Sequence, residues 1–483
     1  MANVLETIVA DKRVEVAQRE LDFPLTHFID DLTPSTRSLF NSLNKSKIGF
    51  IFECKKASPS KGLIREHFDL DEILSAYLPY AAGISVLTDE KYFQGKYAYL
   101  EYVTQRTTVP VLNKDFFISP YQVYLARYYQ ADAILLMLSV LSDDEYRNLA
   151  AIAEQLQLDV LTEVSNEEEM TRAIALEAKI MGINNRNLRD LSTDLATTER
   201  LVPMLVDAQH DFVVISESGI YTHDDVKRLS PISHGFLVGS ALMAQKNLPN
   251  AVKSIVFGKN KVCGITQAKD ATSALQAGAT YLGFIFVPSS PRAVTLEQAK
   301  QIVQDVPKEA VFEHYVAVFR NNSLDEITAV IDALPIKAIQ LHGSENASFR
   351  AELKAKLSPE QQLWQAVPMS VSPTSEQLEL AKDTLNDPNC DHVLFDCKVG
   401  EQEGGTGQVF DWSHLADLPE QQKWILAGGI GEHNIASACR IAPNIIDINS
   451  CVESAPGIKD ADAVYRTLQQ TRCLSVSATH SKN

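Results

Sequence analysis

The stretch DAILLMLSVLSDDEYRNLAAIAEQLQLDVLTEV, residues 132–164, decides the fold. It opens on a near-continuous apolar run, 132–138. It then passes through Ser142 to Leu156, where strong helix formers recur at helical spacing, and ends on a second apolar run, 159–164. Apolar strands without inside–outside alternation, joined by an amphipathic helix, describe two parallel strands whose outer face is covered by that helix. The same unit repeats outward in both directions. IGFIFE (48–53), GISVLT (83–88) and VPVLNK (109–114) precede it; KIMGIN (179–184), FVVISE (212–217) and GFLVG (235–239) follow, giving eight strand candidates. After Phe257 the count restarts with KVCGI (261–265), YLGFIF (281–286), YVAVF (315–319), IKAIQLH (336–342), LWQAV (363–367), HVLFD (392–396), WILAGG (424–429) and IIDIN (445–449), again eight. Eight such units in roughly 200–250 residues match a closed (β/α)8 barrel. The α/β chain therefore reads as two tandem (β/α)8 TIM barrels. An open doubly wound sheet shares the βαβ pattern, but an even split into eights favours closure.

At 483 residues the chain exceeds what one hydrophobic core usually serves, and 45% hydrophobic residues supply material for two. The expected domains are 1–255, with a partly helical extension before residue 48, then 256–470, then a polar tail, 471–483. A net charge of -18 argues against non-specific binding to nucleic acid or anionic membranes. Seven scattered cysteines form no CxxC pair, which fits a reducing cytoplasm rather than a zinc site or disulfide framework. The first twenty residues lack the apolar core of a signal peptide, and no run is long enough to span a bilayer.

In such barrels chemistry gathers at the C-terminal ends of the strands, and phosphate often binds after strands seven and eight. Both halves place small residues there: Ser218-Gly219 and Gly239-Ser240 in the first, Gly428-Gly429 and Asn449-Ser450 in the second. One such turn would be ordinary; four at equivalent positions point to phosphate. EGGTG (403–407) lacks the GK[ST] ending of a P-loop and reads as a glycine-rich active-site loop. Charged and amide residues crowd the strand ends of the first half: Glu53 and Lys55 on one strand face, then Lys114, Glu163, Asn184 and Glu217. A cluster of this kind is costly unless its charges pair or perform chemistry. The second half offers Cys263 and Asp396 at strand ends.

ECKKASPSKG (53–62), LTDEKYFQG (87–95), LNKDF (112–116), TEV (162–164), GINNRNL (182–188), SESGI (216–220) and VGSALM (238–243) closely resemble indole-3-glycerol-phosphate synthase. The resemblance implies ring closure, decarboxylation and dehydration of 1-(2-carboxyphenylamino)-1-deoxyribulose 5-phosphate. It makes Lys114 a general acid, Glu163 a general base and Lys55 an assistant in closure and dehydration. Glu53, Asn184 and Glu217 would orient these groups. Ser58, Ser218, Gly219, Gly239 and Ser240 would hold phosphate, and Arg186 would contact a substrate anion.

KVCGIT (261–266), GFIFVPSSPR (283–292), QLHG (340–343), FDCKVGEQEGGTGQVFDW (395–412), LAGGI (426–430) and DINSCVESAPGIKD (447–460) closely resemble phosphoribosylanthranilate isomerase. That resemblance implies an Amadori rearrangement with Asp396 as general acid and Cys263 as general base. Arg292 would bind the anthranilate carboxylate, and Gly428, Gly429 and Ser450 the phosphate. Cys451 has no role beyond packing. Neither reaction implies a metal or organic cofactor. The implied partners are phosphorylated anthranilate-sugar substrates, with no nucleic acid, no membrane and a monomeric chain. Two alternatives stand beside this reading. One is a related sugar-phosphate barrel, such as a histidine-pathway isomerase or an aldolase using Lys55 or Lys114 as a Schiff base. The other is a non-catalytic phosphate sensor, against which the retained acid–base residues argue.

Overall fold

A computed structural model describes residues 4–45, 48–187, 191–307, 314–399, 402–403, 409–419 and 421–472. The glycine-rich run 404–407 and the tail 473–483 lie outside the described residues. Contacts divide the chain into two compact units that part between Ile255 and Val256.

The N-terminal unit is a closed parallel barrel of β1 (Gly49–Cys54), β2 (Gly83–Leu87), β3 (Val111–Lys114), β4 (Ala133–Met137), β5 (Asp159–Val164), β6 (Ile180–Asn184), β7 (Val213–Glu217) and β8 (Gly235–Val238). Strand β1 closes the ring by pairing with β2 (Ile51 opposite Gly83) and with β8 (Gly49 opposite Gly235). The strands are buried almost throughout, as their apolar runs require when helices cover the outside. Helices start where the sequence caps them. Ser142 accepts a hydrogen bond from the Glu145 backbone while Glu145 accepts one from the Ser142 backbone, opening the helix Asp143–Gln155. The extension contributes a helix, Leu39–Lys45, whose Leu39 and Leu43 are sealed against the starts of β1 and β2. A methyl group on Gly49 would lie 2.6 Å from Leu43, and one on Gly83 2.6 Å from Leu39, so both strands begin with glycine where this helix packs.

The C-terminal unit contains β9 (Lys259–Val262), β10 (Tyr281–Ile285), β11 (Tyr315–Phe319), β12 (Ile336–Leu341), β13 (Gln362–Ser370), β14 (His392–Val399), β15 (Trp424–Leu426) and β16 (Ile445–Ile448). The sheet runs from β13 back to β9, on to β16, β15 and β14, and the β13–β14 pairing closes it. Inside the ring lie Tyr281, Val316, Ala338, Trp364, Leu394 and Ile425, and a larger apolar layer fills the space between strands and helices. All sixteen strands fall within or across the runs read from sequence. Strands β13 and β14 extend further than expected, and Trp412–Asp417 forms a 3-10 helix in the connection before β15. No helix among the described residues is long and apolar enough to cross a membrane.

Candidate active sites

The site residues expected in the first barrel line one cleft at the C-terminal ends of its strands, except Glu217, which lies behind Lys114. Glu53 and Lys55 share a face of the chain leaving β1, and their side chains meet at 2.7 Å. Lys114 Nζ lies 2.5 Å from Glu217 Oε2 and 3.8 Å from Glu53 Oε2. The result is an alternating chain, Lys55–Glu53–Lys114–Glu217. Glu163 stands beside it and accepts a hydrogen bond from Asn184 Nδ2 at 3.1 Å, while Asn184 Oδ1 accepts one from the Arg186 backbone.

Two ammonium groups cannot neutralise three buried carboxylates. The proton goes to Glu163: burial, and next the charge of Glu217, push its carboxyl up to about 7. Burial also disfavours the charge on Lys114, but Glu217, Glu53 and Glu163 together offset this and hold the ammonium above its ordinary range. Glu53 is buried yet stays below the usual carboxylate range because Lys55 and Lys114 flank it.

The turn after β7 places Ser218 (φ 64°) and Gly219 (φ 81°) in the left-handed region, and a Cβ on Gly219 would lie 2.6 Å from Thr193. Gly239 has a reason beyond phosphate: a Cβ there would collide with the Glu53 carboxylate.

Sequence reasoning missed the roof of this cleft. Val4, Leu5 and Ile8 of the N-terminal helix Val4–Asp22 line it together with Phe93 and Phe116. That helix is fastened through Lys12, whose side chain is 1% exposed and whose Nζ sits 2.7 Å from Glu15, 2.8 Å from Asp89 and 2.9 Å from Asp115. Asp115 follows Lys114. Asp89 caps the short helix Glu90–Phe93, and Phe93 carries the ring 5.8 Å from Lys55 Nζ. Asp11 adds contacts to Lys91 and Tyr92. The signal was available: buried Leu5, Ile8, Lys12 and Val16 follow helical spacing, so a lysine interrupts an apolar stripe.

In the second barrel Cys263, Arg292, Asp396, Gly428, Gly429 and Ser450 line one cleft with Gln340, His342, Asp447 and Asn449. Burial, reinforced by nearby Asp447, raises the Asp396 carboxyl to about 7. Its Oδ1 accepts from the Cys397 backbone at 2.8 Å, and His342 Nε2 stands 3.6 Å from Oδ2. Gly428 and Gly429 both have positive φ, and a Cβ on Gly428 would lie 2.7 Å from the Cys397 nitrogen and 3.0 Å from Asp396. Arg292 is held by a protein carboxylate: Nε and Nη2 grip Glu453 at 2.7–3.0 Å. Glu453 also takes Lys459 at 2.8 Å. Gln340, His342, Asp447, Glu453 and Lys459 were not anticipated, nor was Lys261, which bonds Asp447 at 2.8 Å and Gln340 at 2.9 Å. Cys451 is partly buried beside Gly431.

The tryptophan biosynthesis protein TrpCF of Vibrio cholerae is 49% identical over 98% of this chain and 96% of its own length. The TrpCF of Salmonella typhi is 48% identical over 98% of this chain and 100% of its own. The chain belongs to the bifunctional TrpCF family. The model of indole-3-glycerol phosphate synthase matches residues 5–255, and that of N-(5'-phosphoribosyl)anthranilate isomerase matches residues 260–470. This TrpCF-family enzyme therefore has a decarboxylating lyase in its N-terminal barrel and an isomerase in its C-terminal barrel, both serving tryptophan biosynthesis. Among solved structures, phosphoribosylanthranilate isomerase from Thermotoga maritima is 32% identical over 44% of this chain and 98% of its own, with a TM-score of 0.38.

Proposed function

We propose how the two clefts divide the chemistry. Residues 1–255 and 256–470 act as separate catalytic units, and the isomerase product is the synthase substrate. In the second barrel Asp396, held near neutrality, donates a proton to the ribose ring oxygen of phosphoribosylanthranilate and opens the ring to a Schiff base. Cys263, as thiolate, removes the proton from C2 of the sugar, and the resulting enolamine tautomerises to the ketone. The substrate carboxylate takes Nη1 of Arg292, because Nε and Nη2 already hold Glu453. Gly428, Gly429 and Ser450 cradle the phosphate.

In the first barrel Lys114 donates to the substrate carbonyl as the anthranilate ring carbon attacks it. Carbon dioxide leaves, and loss of water completes the indole. Glu163 is the proton acceptor, since a carboxyl at about 7 is poised to exchange protons near neutrality. Lys55 assists closure and dehydration, positioned by Glu53, while Asn184 orients Glu163. Ser58, Ser218, Gly219, Gly239 and Ser240 receive the phosphate and Arg186 a substrate anion. The apolar wall of Leu5, Ile8, Phe93 and Phe116 suits the anthranilate ring.

The observation that carries this reading is that each cleft holds a carboxyl raised to about 7, Glu163 or Asp396, which feels the charge of one lysine, Lys114 or Lys261. The test supplies phosphoribosylanthranilate to the purified chain without added metal or cofactor and follows indoleglycerol phosphate. Asp396→Asn should cut the isomerase step by roughly 10²–10⁴-fold while leaving the synthase step intact. Loss of the synthase instead would overturn the division. A cytoplasmic location fits the seven scattered cysteines, which form no CxxC pair.

A further inference from the structure

We propose that Lys261 is the positioning residue that makes Cys263 a base, by holding a buried ammonium beside the thiol on the same strand face. The inference rests on Cys263 as the isomerase base and explains how a sealed thiol could serve as one. A thiol must ionise to abstract a carbon-bound proton; burial pushes the Cys263 thiol above its ordinary range, and Lys261 draws it part of the way back.

Lys261 and Cys263 are two residues apart where β9 ends, so both side chains enter the barrel. A methyl group on Gly283 of neighbouring β10 would lie 2.7 Å from Cys263 Sγ and 2.9 Å from Lys261 Cε, so thiol and ammonium stem flank one gap. The charge of the Lys261 ammonium opposes the effect of burial on the thiol.

Other charged groups face this point from every side. Asp447 comes from β16, Asp396 from β14, His342 from the end of β12, Arg292 from the loop after β10, and Glu453 and Lys459 from the hairpin after β16. Arg292 and Lys459 both bind Glu453, which dilutes their effect on the thiol. Lys261, with 0% side-chain exposure, has one carboxylate, Asp447, and one neutral acceptor, Gln340. Asp447 works against the thiolate and Lys261 for it, so the pair sets the thiol from opposite sides. Gln340 continues to His342 Nδ1 at 3.2 Å, and His342 reaches Asp396, which joins the base side of the cleft to the acid side. In the reactive form the thiol has given its proton to water in the cleft. During turnover the thiolate takes the C2 proton and the S–H bond reforms.

The test measures iodoacetamide alkylation of Cys263 against pH in the full-length chain, read by peptide mass spectrometry, alongside the pH profile of isomerase kcat/KM. Lys261→Met should move the alkylation midpoint and the rising limb of the profile up by at least about one pH unit, with roughly tenfold lower kcat/KM at neutral pH. Asp447→Asn should move both midpoints down. Opposite shifts support the proposal. Absent shifts, or shifts in the same direction in both variants, as unfolding would give, overturn it. If Cys263→Ala retains isomerase activity while the alkylation midpoints move as stated, the base assignment fails and the electrostatic coupling stands.

Discussion

The two cleft mouths solve one problem differently. Each raises a single carboxyl to about 7 by burying it beside another carboxylate: Glu163 beside Glu217 in the first barrel, Asp396 beside Asp447 in the second. Their cations differ. Lys55 and Lys114 keep 18% and 15% of their side chains exposed to the cleft, whereas Lys261 keeps none. An ammonium presented to the substrate can polarise a carbonyl and donate a proton. One sealed behind a thiol can only set the charge state of its neighbour. On the proposed roles, the same ring of strands serves electrophilic catalysis or proton removal according to how deeply the lysine sits.

The strongest way to break this contrast is Lys114→Ala. Synthase turnover should fall by roughly 10²–10⁴-fold with the isomerase unchanged, as two separate assays on one preparation would show. Synthase turnover that survives would mean that the exposed cation is not the acid. Lys12→Met should come next. It strands Asp89 and Asp115 as buried carboxylates, so the first thermal transition should lose about 3–5 kcal/mol of stability. The synthase KM should rise as the apolar roof loosens, with the isomerase KM as control. Equal KM values would reduce Lys12 to scaffolding.

A smaller effect separates the two raised carboxyls by pH. Glu163 binds its proton more tightly folded than unfolded, so between pH 4.5 and about 7 the folded barrel carries more protons and loses stability as pH rises. Glu163→Gln should remove that loss. Melts at pH 8 should then gain on the order of 1–3 kcal/mol over the parent, with little difference near pH 4. An equal gain at both pH values would place the effect in packing rather than ionisation. Smallest of all, Cys451→Ala should change both activities less than about twofold, in keeping with a thiol that only packs. A larger isomerase loss would bring a second thiol into the comparison.

The strand-end residues were legible because strand geometry is local. Side chains two apart share a face, and a βαβ repeat tells which end of each strand meets the loops, so Glu53, Lys114, Glu163, Asn184, Glu217 and Asp396 could be assigned to one rim each. The same rule, applied to Glu53 and Lys55, also pairs Lys261 with Cys263, but a lysine within the KVC run gives no sign of being buried. Arg292 shows a different limit. Its place in the cleft was readable, yet its grip on Glu453 joins residues 161 positions apart.

Sequence by itself determined the sixteen strands, their division into two rings and which polar residues stand at the strand ends, because apolar periodicity and strand-end position are properties of neighbouring residues. Only the tertiary structure decided which charges meet and which proton each carboxyl keeps. Lys12 finds Asp115, and Lys261 finds Asp447 across 186 positions, through closure of the barrels. Burial strengthens charge interactions there by removing water, and both distance and burial exist only once the rings have closed.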